Sequence, residues 1–414
     1  MNPDRSSSPN VGRRLACAAL ALALLSSASA AVTWKNIQIG GFVSQGYLAN
    51  DGHNDYLGDT SEGTFDFREY ALNASWSKGK FRIGAQAFGQ ELGKYGNDKI
   101  DLDWGVVDYQ ATQWFGLRAG RVKMPRGLYN EALDVDSVRP FVLLPQSVYD
   151  ARLRDFNSAF NGGMVYGNIS LKSLGSVDYR VFMGEIPIST ESGASDYFNN
   201  DAPHPNARMG MDSIVGGSLF WNTPVSGLRV GYSYSAFNDF FADRSVLFPA
   251  WDIYPEMLLI MYKATPRYHR DLLSAEYVTG DWVFAAEVGW ETTKYDIGMY
   301  EFPDVMSRFA FDSFYGYVSA ARRLNDRFEV GTYYSYSIDQ QDTILGEPFP
   351  IQDLIQEDIA VSLRYDATER LVLKAEVHFM QGAGKLFDLP SKPQPTALRD
   401  DSWMLFAAKA TFSF

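Results

Sequence analysis

Few residues of this 414-residue chain could do acid–base or nucleophilic chemistry. A hydrolytic site needs a nucleophile activated by a base that a third group orients, and only four histidines could supply that base. His53 and His204 fall in predicted long loops, and His269 is near a strand end. His378 is predicted at mid-strand, in one row with Glu376, but the spacing puts no serine beside it. We therefore interpret His378 as a polar residue facing an enclosed space, with a hydrolase as the alternative.

No metal or cofactor site is predicted. Acidic pairs such as Asp134 and Asp136 could bind calcium, but no spacing resembles a calcium loop. No glycine-rich phosphate cradle, metal-ligand cluster or nucleotide motif stands out. Cys17 is the only cysteine, and it lies in a segment that we predict to be removed. Cysteine chemistry is therefore not expected in the mature chain.

Residues 1–30 are predicted to be a signal peptide. Arg13 and Arg14 form a positive n-region, Leu15–Leu25 is a short apolar run, and Ala28-Ser29-Ala30 fits the cleavage pattern. Removal of this segment takes away three arginines and one aspartate, which leaves 34 basic against 49 acidic residues and a net charge of −15. A chain this acidic is not expected to bind nucleic acid through its phosphates.

Strands, rather than helices, must position the polar residues of the mature chain, 31–414. No apolar stretch after the signal approaches the roughly 20 residues that a membrane helix needs. The alternation of apolar and polar residues predicts sixteen strands, an even number that brings both termini to one side. The predicted strands are 35–48, 64–76, 80–90, 100–112, 114–122, 159–170, 176–186, 212–223, 227–237, 268–278, 282–293, 311–323, 327–338, 355–366, 370–381 and 402–414.

The last predicted strand shows this alternation most clearly. Because successive side chains of a strand point to opposite faces, one face is directed toward lipid and the other toward water. The apolar face holds Met404, Phe406, Ala408, Ala410, Phe412 and Phe414, and the polar face holds Lys409, Thr411 and Ser413. The same division predicts that other charged residues face inward: Glu276, Glu287, Glu291, Glu329, Arg364, Lys374 and Glu376.

The connections between the strands are alternately short and long. Seven are tight, such as Ser77-Lys78-Gly79-Lys80, and eight are long, which is typical of a transmembrane β-barrel. A soluble β-sandwich would not confine its short connections to every second position. A closed barrel of sixteen strands leaves an aqueous lumen, and the first strand begins too near the cleavage site for a plug domain. Four tryptophans near the short turns predict an interfacial girdle: Trp76, Trp114, Trp221 and Trp282.

Two groups of residues are candidates for the lumen. Alternation aims Arg82, Arg118 and Arg180 inward from the third, fifth and seventh strands as a basic ladder. The third long connection, residues 123–159, is the longest and contains the apolar run Phe141-Val142-Leu143-Leu144. Long ordered loops tend to be functional. Because this run would be unfavourable in solvent, we expect the connection to fold into the lumen and narrow it.

Several segments carry a resemblance to a known family. Residues Phe115–Pro125 are followed by Gly127–Asn130 and Leu144–Tyr149, and the chain ends on Phe414. Together these segments resemble the porin superfamily of Gram-negative outer membranes, in particular trimeric porins related to the phosphate-selective group. The strand and loop layout covers the whole mature chain, whereas the sequence-specific match covers about forty residues.

The resemblance implies a homotrimer in the outer membrane, exported through the periplasm. It also implies an assembly signal at Phe414 for the barrel-assembly machinery. A third loop folded into the lumen would set charged residues against a basic wall, and opposed charges at a narrow waist would set selectivity. The implied acidic residues are Glu131, Asp134, Asp136, Asp150 and Asp155, and the basic residues are Lys123, Arg126, Arg139, Arg152 and Arg154.

The sequence departs from the phosphate-selective group because inward acidic residues compete with inward arginines and lysines. We therefore expect no phosphate specificity. The expected function is passive diffusion of small hydrophilic solutes or ions through a water-filled channel, without a cofactor and without enzymatic activity. The alternatives are an outer-membrane barrel hydrolase and a non-conducting structural or adhesive barrel.

Overall fold

The structure is a computed structural model. It describes residues 32–93, 95–96, 98–136, 139–192, 194–195, 206–250, 254–299, 302–341, 354–386 and 400–414. The predicted signal peptide, residues 1–30, lies outside the described residues, and so does His204.

The described residues are almost entirely β-strand, and no helix among them is long and apolar enough to cross a membrane. A short strand, β1, precedes sixteen long ones. The strands are β1 Val32–Trp34, β2 Ile37–Asn50, β3 Phe67–Lys78, β4 Phe81–Leu92, β5 Asp101–Thr112, β6 Phe115–Lys123, β7 Ala159–Ser170, β8 Ser176–Ile188, β9 Asn206–Asn222, β10 Leu228–Ala250, β11 Tyr254–Thr279, β12 Trp282–Met299, β13 Phe302–Arg323, β14 Phe328–Gln341, β15 Ile355–Asp366, β16 Leu371–Gly382 and β17 Ser402–Ser413.

The sixteen long strands close into one antiparallel barrel. Each of β2 to β16 pairs with the next strand along the chain. The last strand, β17, returns to β2, with Leu405 opposite Asn50 and Ser413 opposite Phe42. Closure leaves no free edge, so the backbone groups of every strand can be paired within the sheet, as a membrane interior requires. The predicted sixteen-stranded barrel is confirmed.

The hairpin of β10 and β11 is longer than predicted. The alternation predicts strand ends at residues 237 and 268, but the antiparallel pairing continues to Ala250 opposite Tyr254. Pro266 interrupts the pattern in the sequence, and in the structure it falls at a register shift between β11 and β12. Proline is tolerated in strands at such irregularities, which is why the strand passes through it.

The barrel wall separates apolar and polar residues as the alternation predicts. On β16, Leu373 and Phe379 are 39% and 50% exposed on the outer face. Lys374, Glu376 and His378, between them on the inner face, are each less than 5% exposed. The four tryptophans predicted to form a girdle are all exposed on the outside, Trp76, Trp114, Trp221 and Trp282.

Residues 124–158, which join β6 to β7, are called the long connection below. Among its described residues, this stretch contains the short helical turns Asn130–Ala132, Ala151–Leu153 and Arg154–Asn157. Inward-facing residues of many strands contact it, and these contacts define the candidate site.

Candidate functional site

The two ends of the long connection are held by an apolar cluster. Met124 and Phe156 are buried with inward residues of β7 to β11. The Phe156 ring stacks on Phe237 with 5.0 Å between ring centroids. Asn130 links the two ends, because its Nδ2 donates to the backbone oxygens of Met124 and Asn157 at 2.9 and 2.8 Å. Burial of these aromatic and aliphatic side chains stabilises the base of the connection.

Asp136 connects the long connection to β16 and β17. Its carboxylate is 3.1 Å from Lys374 Nζ and 3.5 Å from Lys409 Nζ, and it accepts a hydrogen bond from Thr411 Oγ1 at 2.8 Å. Arg139 lies 3.4 Å from the same carboxylate. Burial alone would raise the pKa of Asp136, but Lys409, Lys374 and Arg139 outweigh it and hold the pKa well below its usual range.

The predicted apolar run is buried, and its backbone is bonded to the wall. Val142 and Leu143 are 1% and 5% exposed, and their N–H groups donate to Glu376 at 3.3 and 2.9 Å. The same carboxylate lies 3.2 Å from His378 Nε2, and His378 Nδ1 lies 3.1 Å from Asp358. Both ring nitrogens of His378 therefore face a carboxylate.

Glu287 on β12 is a second anchor for the long connection. It accepts hydrogen bonds from the Leu128 N–H at 3.0 Å and from the Tyr149 hydroxyl. From the wall, Ser274 and Tyr317 donate to it at 2.6 and 2.9 Å. A buried carboxylate with this many donors is a satisfied structural group.

Asp134 and Arg154 form a buried charge cluster near β4 and β5. Asp134 accepts hydrogen bonds from Lys123 and from Arg154, and Arg154 also bonds Asp103 at 2.8 Å. The Arg154 guanidinium lies 3.9 Å from the centre of the Phe88 ring. Burial would raise the pKa of Asp134, but Arg154 and Lys123 outweigh it and lower that pKa strongly.

Asp150 and Arg152 form a local pair. Arg152 donates to Asp150 from Nε and Nη2 at 2.9 and 2.6 Å, and Lys385 contacts the same carboxylate at 3.1 Å. Despite burial, Arg152 and Lys385 lower the pKa of Asp150. By contrast, burial raises the pKa of Asp155.

Two arginines of the predicted basic ladder are paired with carboxylates. Arg118 Nε donates to Asp108 at 2.6 Å, and Arg180 lies 3.2 Å from Glu131 of the long connection. Arg82 is exposed near a short turn and stands opposite Asp108 in the strand register. The arginines therefore do not form an unopposed positive surface.

Sequence reasoning missed several inward carboxylates and one arginine. Asp103 and Asp108 on β5 are separated by five positions, so strict alternation cannot put both of them inside. A register shift on this strand pair, between Gln86 and Ala87 of β4, allows it. Asp358 lies six positions from Arg364 and Arg270 lies six positions from Glu276, so the same alternation could have found both as inward residues. Alternation along β6 gives Arg121 the parity of the lipid side, where a bulge or the strand end must accommodate it, and in the structure its Nε donates to the Asp103 backbone oxygen at 3.0 Å.

The described residues contain no cluster of three or more histidine, cysteine, aspartate or glutamate side chains that could hold a metal ion. The contacts described above are made by paired charges, hydroxyls and backbone groups. These groups can bind water, ions and polar solutes.

Comparison with known proteins gives structural matches only. No protein-family model matches the chain, and no curated protein sequence does. The outer-membrane channel DcaP of Acinetobacter baumannii matches with a TM-score of 0.54 at 8% identity, over 93% of this chain and 100% of that chain. OmpF of Salmonella typhi, solved in complex with daunomycin, matches with a TM-score of 0.54 at 10% identity, over 91% and 97%.

A third match is the anion-selective porin from Comamonas acidovorans, with a TM-score of 0.50 at 13% identity, over 91% of this chain and 99% of that chain. At these identities the likeness establishes the fold and nothing finer. The chain has the fold of the outer-membrane porins.

Proposed function

We propose that this chain is a porin of the Gram-negative outer membrane, through which small hydrophilic solutes and ions diffuse passively. The observation that carries the proposal is the inner wall of the closed barrel. Charged and hydroxyl-bearing residues face inward on many strands, while apolar residues face outward. A wall that is polar inside and apolar outside suits a water-filled passage across lipid.

The long connection is proposed to narrow this passage. Support comes from its bonds to inward groups on different sides of the barrel, among them Asp103 on β5, Glu287 on β12 and Glu376 on β16. A segment that bridges these strands occupies part of the cross-section. The proposed constriction residues are Arg82, Arg118, Arg180, Glu131, Asp134, Asp136, Arg139, Asp150, Arg152 and Arg154.

Weak charge selectivity follows from the pairing of these residues. Arg118 with Asp108 and Arg180 with Glu131 each combine one positive and one negative group. Opposed charges at short range create a local field with little net charge. We therefore propose a channel that favours polar solutes over apolar ones without a strong preference for anions, and we propose no phosphate specificity.

A homotrimer is proposed as the functional assembly. One of the structural matches, OmpT of Vibrio cholerae, was solved in a trimer form and matches with a TM-score of 0.50 at 11% identity. The outer-membrane lipid and the barrel-assembly machinery, which would bind the strand ending at Phe414, are the other proposed partners. No nucleic-acid partner is proposed.

The hydrolase alternative is disfavoured by the surroundings of His378. A general base needs one ring nitrogen free for the nucleophile, yet carboxylates face both nitrogens of this histidine. No serine or threonine hydroxyl bonds it within the described part of the chain. Esterase or protease activity that disappears in a His378→Ala variant would favour the enzyme.

The test of the channel is conductance of the purified, heat-modifiable protein in planar lipid bilayers, followed by liposome swelling with sugars, amino acids and dicarboxylates. We expect stepwise ion currents and swelling rates that fall with solute size. A folded, purified protein that carries no current would overturn the proposal and favour a non-conducting barrel.

A further inference from the structure

Residues 51–66, which join β2 to β3 and are called the first connection below, also fold into the barrel. Tyr56 and Leu57 of this segment are 2% and 1% exposed. They pack in one apolar cluster with Val142 and Leu143 of the long connection and with inward residues of the wall. The wall residues of this cluster are Leu48, Phe67, Leu92, Met380, Trp403, Leu405 and Ala407. The first connection therefore fills space between the wall and the long connection.

The surroundings of Tyr56 show how far the first connection reaches into the barrel. Burial raises the pKa of the Tyr56 hydroxyl well above its usual range, and the carboxylates of Asp358 and Asp150 raise it further. Asp358 lies on β15, and Asp150 belongs to the long connection. The centroid of the Tyr56 ring is 5.5 Å from that of Trp403 on β17. One side chain of the first connection thus lies near two strands and near the long connection.

Polar contacts fix the first connection to the end of β2 and to the segment before β17. The Asn50 N–H donates to the Thr60 backbone oxygen at 2.9 Å, and Thr60 Oγ1 accepts from the Tyr56 N–H at 2.9 Å. Asn54 Nδ2 donates to the Asp400 backbone oxygen at 2.8 Å, and the Asp400 N–H donates to Asn54 Oδ1 at 3.0 Å. Asn54 and Thr60 are both fully buried. Buried polar groups that are bonded in this way hold a segment in one position.

The backbone of the first connection is strained at the residue that points inward. Leu57 has a φ of +57°, which is uncommon for a residue other than glycine. Gly93, after β4, approaches so closely that a Cβ on it would lie 2.3 Å from the Leu57 backbone oxygen. Strain of this kind persists only where the surrounding structure imposes it, and it is concentrated at functional positions. The inward placement of Leu57 is therefore a specified feature of the fold.

We propose that the first connection is a second, fixed size filter, which narrows the mouth of the barrel on the side of β15 to β17 and β2 to β4. This inference rests on the proposed channel function and adds a restriction to that of the long connection. The cluster lies at the ends of β2 and β17 from which the long loops leave, and in such barrels long loops are extracellular. Solutes from outside meet the first connection at the entrance, and the larger ones are rejected there.

Shortening the first connection tests the proposal. Because Asn50 and Thr60 are hydrogen-bonded neighbours, residues 51–59 can be replaced by Asn-Gly, a pair that favours a two-residue hairpin turn. We expect the shortened variant to conduct severalfold more current than wild type in planar bilayers and to admit larger sugars in liposome swelling. Heat-modifiability verifies that the variant barrel is folded.

A single substitution displaces the first connection without removing any of it. In Gly93→Ala the new Cβ collides with the Leu57 backbone oxygen, so the connection must shift. Gly79→Ala is the matched control, because Gly79 has a φ of +61° against +54° for Gly93, while a Cβ on Gly79 meets nothing within 4 Å. Both variants carry similar backbone strain. We expect conductance and the size limit to rise in Gly93→Ala and to stay at the wild-type level in Gly79→Ala.

Two results would overturn the filter, and they are distinguishable. If the folded shortened variant and Gly93→Ala conduct and exclude solutes as wild type does, the first connection does not restrict passage, and the proposed channel remains. If neither wild type nor the shortened variant conducts, the proposed function fails and the filter fails with it.

Discussion

Arg118 and Asp108 show how a charged wall can carry little net charge. Their side chains meet at 2.6 Å, and the Tyr166 hydroxyl donates to the other oxygen of Asp108 at 2.5 Å. The arginine also lies over the Tyr166 ring. Because the pair is only partly exposed, each charge is held in a fixed position and would screen the other from ions in the proposed channel.

Separating this pair should reveal charge selectivity. Two unit charges about 4 Å apart interact in water with an energy of about 1 kcal/mol. We therefore expect each single substitution to change the anion-to-cation permeability ratio by about fivefold at most. Arg118→Ala should shift the reversal potential in a salt gradient toward cation selectivity, and Asp108→Asn toward anion selectivity. The double variant should return close to wild type. An unchanged potential in both single variants would remove the pair from the conducting path.

The residue scale also shows what alternation can and cannot predict. The inward positions of Arg118, Arg180 and Lys374 were predictable because a regular strand alternates its side chains. The partners of the two arginines could not be predicted in this way, because Asp108 lies on another strand and Glu131 lies in a loop. The register between strands and the path of a long loop are set by tertiary packing, which alternation within one strand does not encode.

At the scale of elements, β5 and β6 are where regular alternation breaks down. Gly120 has a φ of +125°, a conformation that other residues rarely adopt. A Cβ at this position would lie 2.2 Å from the Gly105 backbone oxygen. This irregularity accompanies Arg121, whose position in the sequence predicts a lipid-facing side chain and whose Nε instead bonds the Asp103 backbone.

Alanine at Gly120 should therefore destabilise the barrel. The strained backbone alone costs about 1–3 kcal/mol, and the close contact with Gly105 adds to it. Gly163→Ala on the neighbouring strand is the matched control, because its nearest atom is 3.8 Å away. We expect urea unfolding in detergent to begin at a lower concentration for Gly120→Ala only. Equal midpoints for the two variants would show that this position tolerates a side chain.

Most strand boundaries were predictable because barrel strands alternate over their whole length and end at turn residues. For β7 the predicted strand 159–170 coincides with the observed Ala159–Ser170, and β15 agrees equally well. The extended hairpin of β10 and β11 was not predictable, since Pro249, Pro255 and Pro266 normally argue against a strand. In this hairpin, the antiparallel pairing of two long strands outweighs the tendency of proline to disfavour a strand.

At the scale of the whole molecule, the long connection ties distant strands together through charges. Asp136 pairs with a lysine of β16, Asp134 pairs with Lys123 at the end of β6, and Asp150 pairs with Lys385, which follows β16. These contacts close large loops of chain and make the stability of the barrel depend on three carboxylates. Breaking a buried pair by neutralising one partner is strongly destabilising, by about 3–5 kcal/mol.

This dependence predicts that acid destabilises the barrel. The pKa values of Asp134, Asp136 and Asp150 lie below the usual range in the folded protein because adjacent cations outweigh burial. A carboxyl group whose pKa is lower in the folded than in the unfolded protein stabilises the fold. This contribution is complete above the unfolded pKa of about 3.9 and is lost as the pH falls below that value. Asp155, whose pKa is raised by burial, has the opposite sign and offsets part of the effect.

We therefore expect the thermal midpoint, followed by circular dichroism in detergent, to stay level from neutral pH to about 5 and to fall progressively below about pH 4. Asp136→Asn should start from a lower midpoint at neutral pH and fall less steeply in acid, because one titrating group is gone. Asp281→Asn, at an exposed turn position, should follow wild type throughout. If wild type and Asp136→Asn lose stability in parallel between pH 5 and 2, Asp136 is not among the groups that link protonation to unfolding. The charge cluster on β16 and β17 would then contribute little to holding the long connection in place.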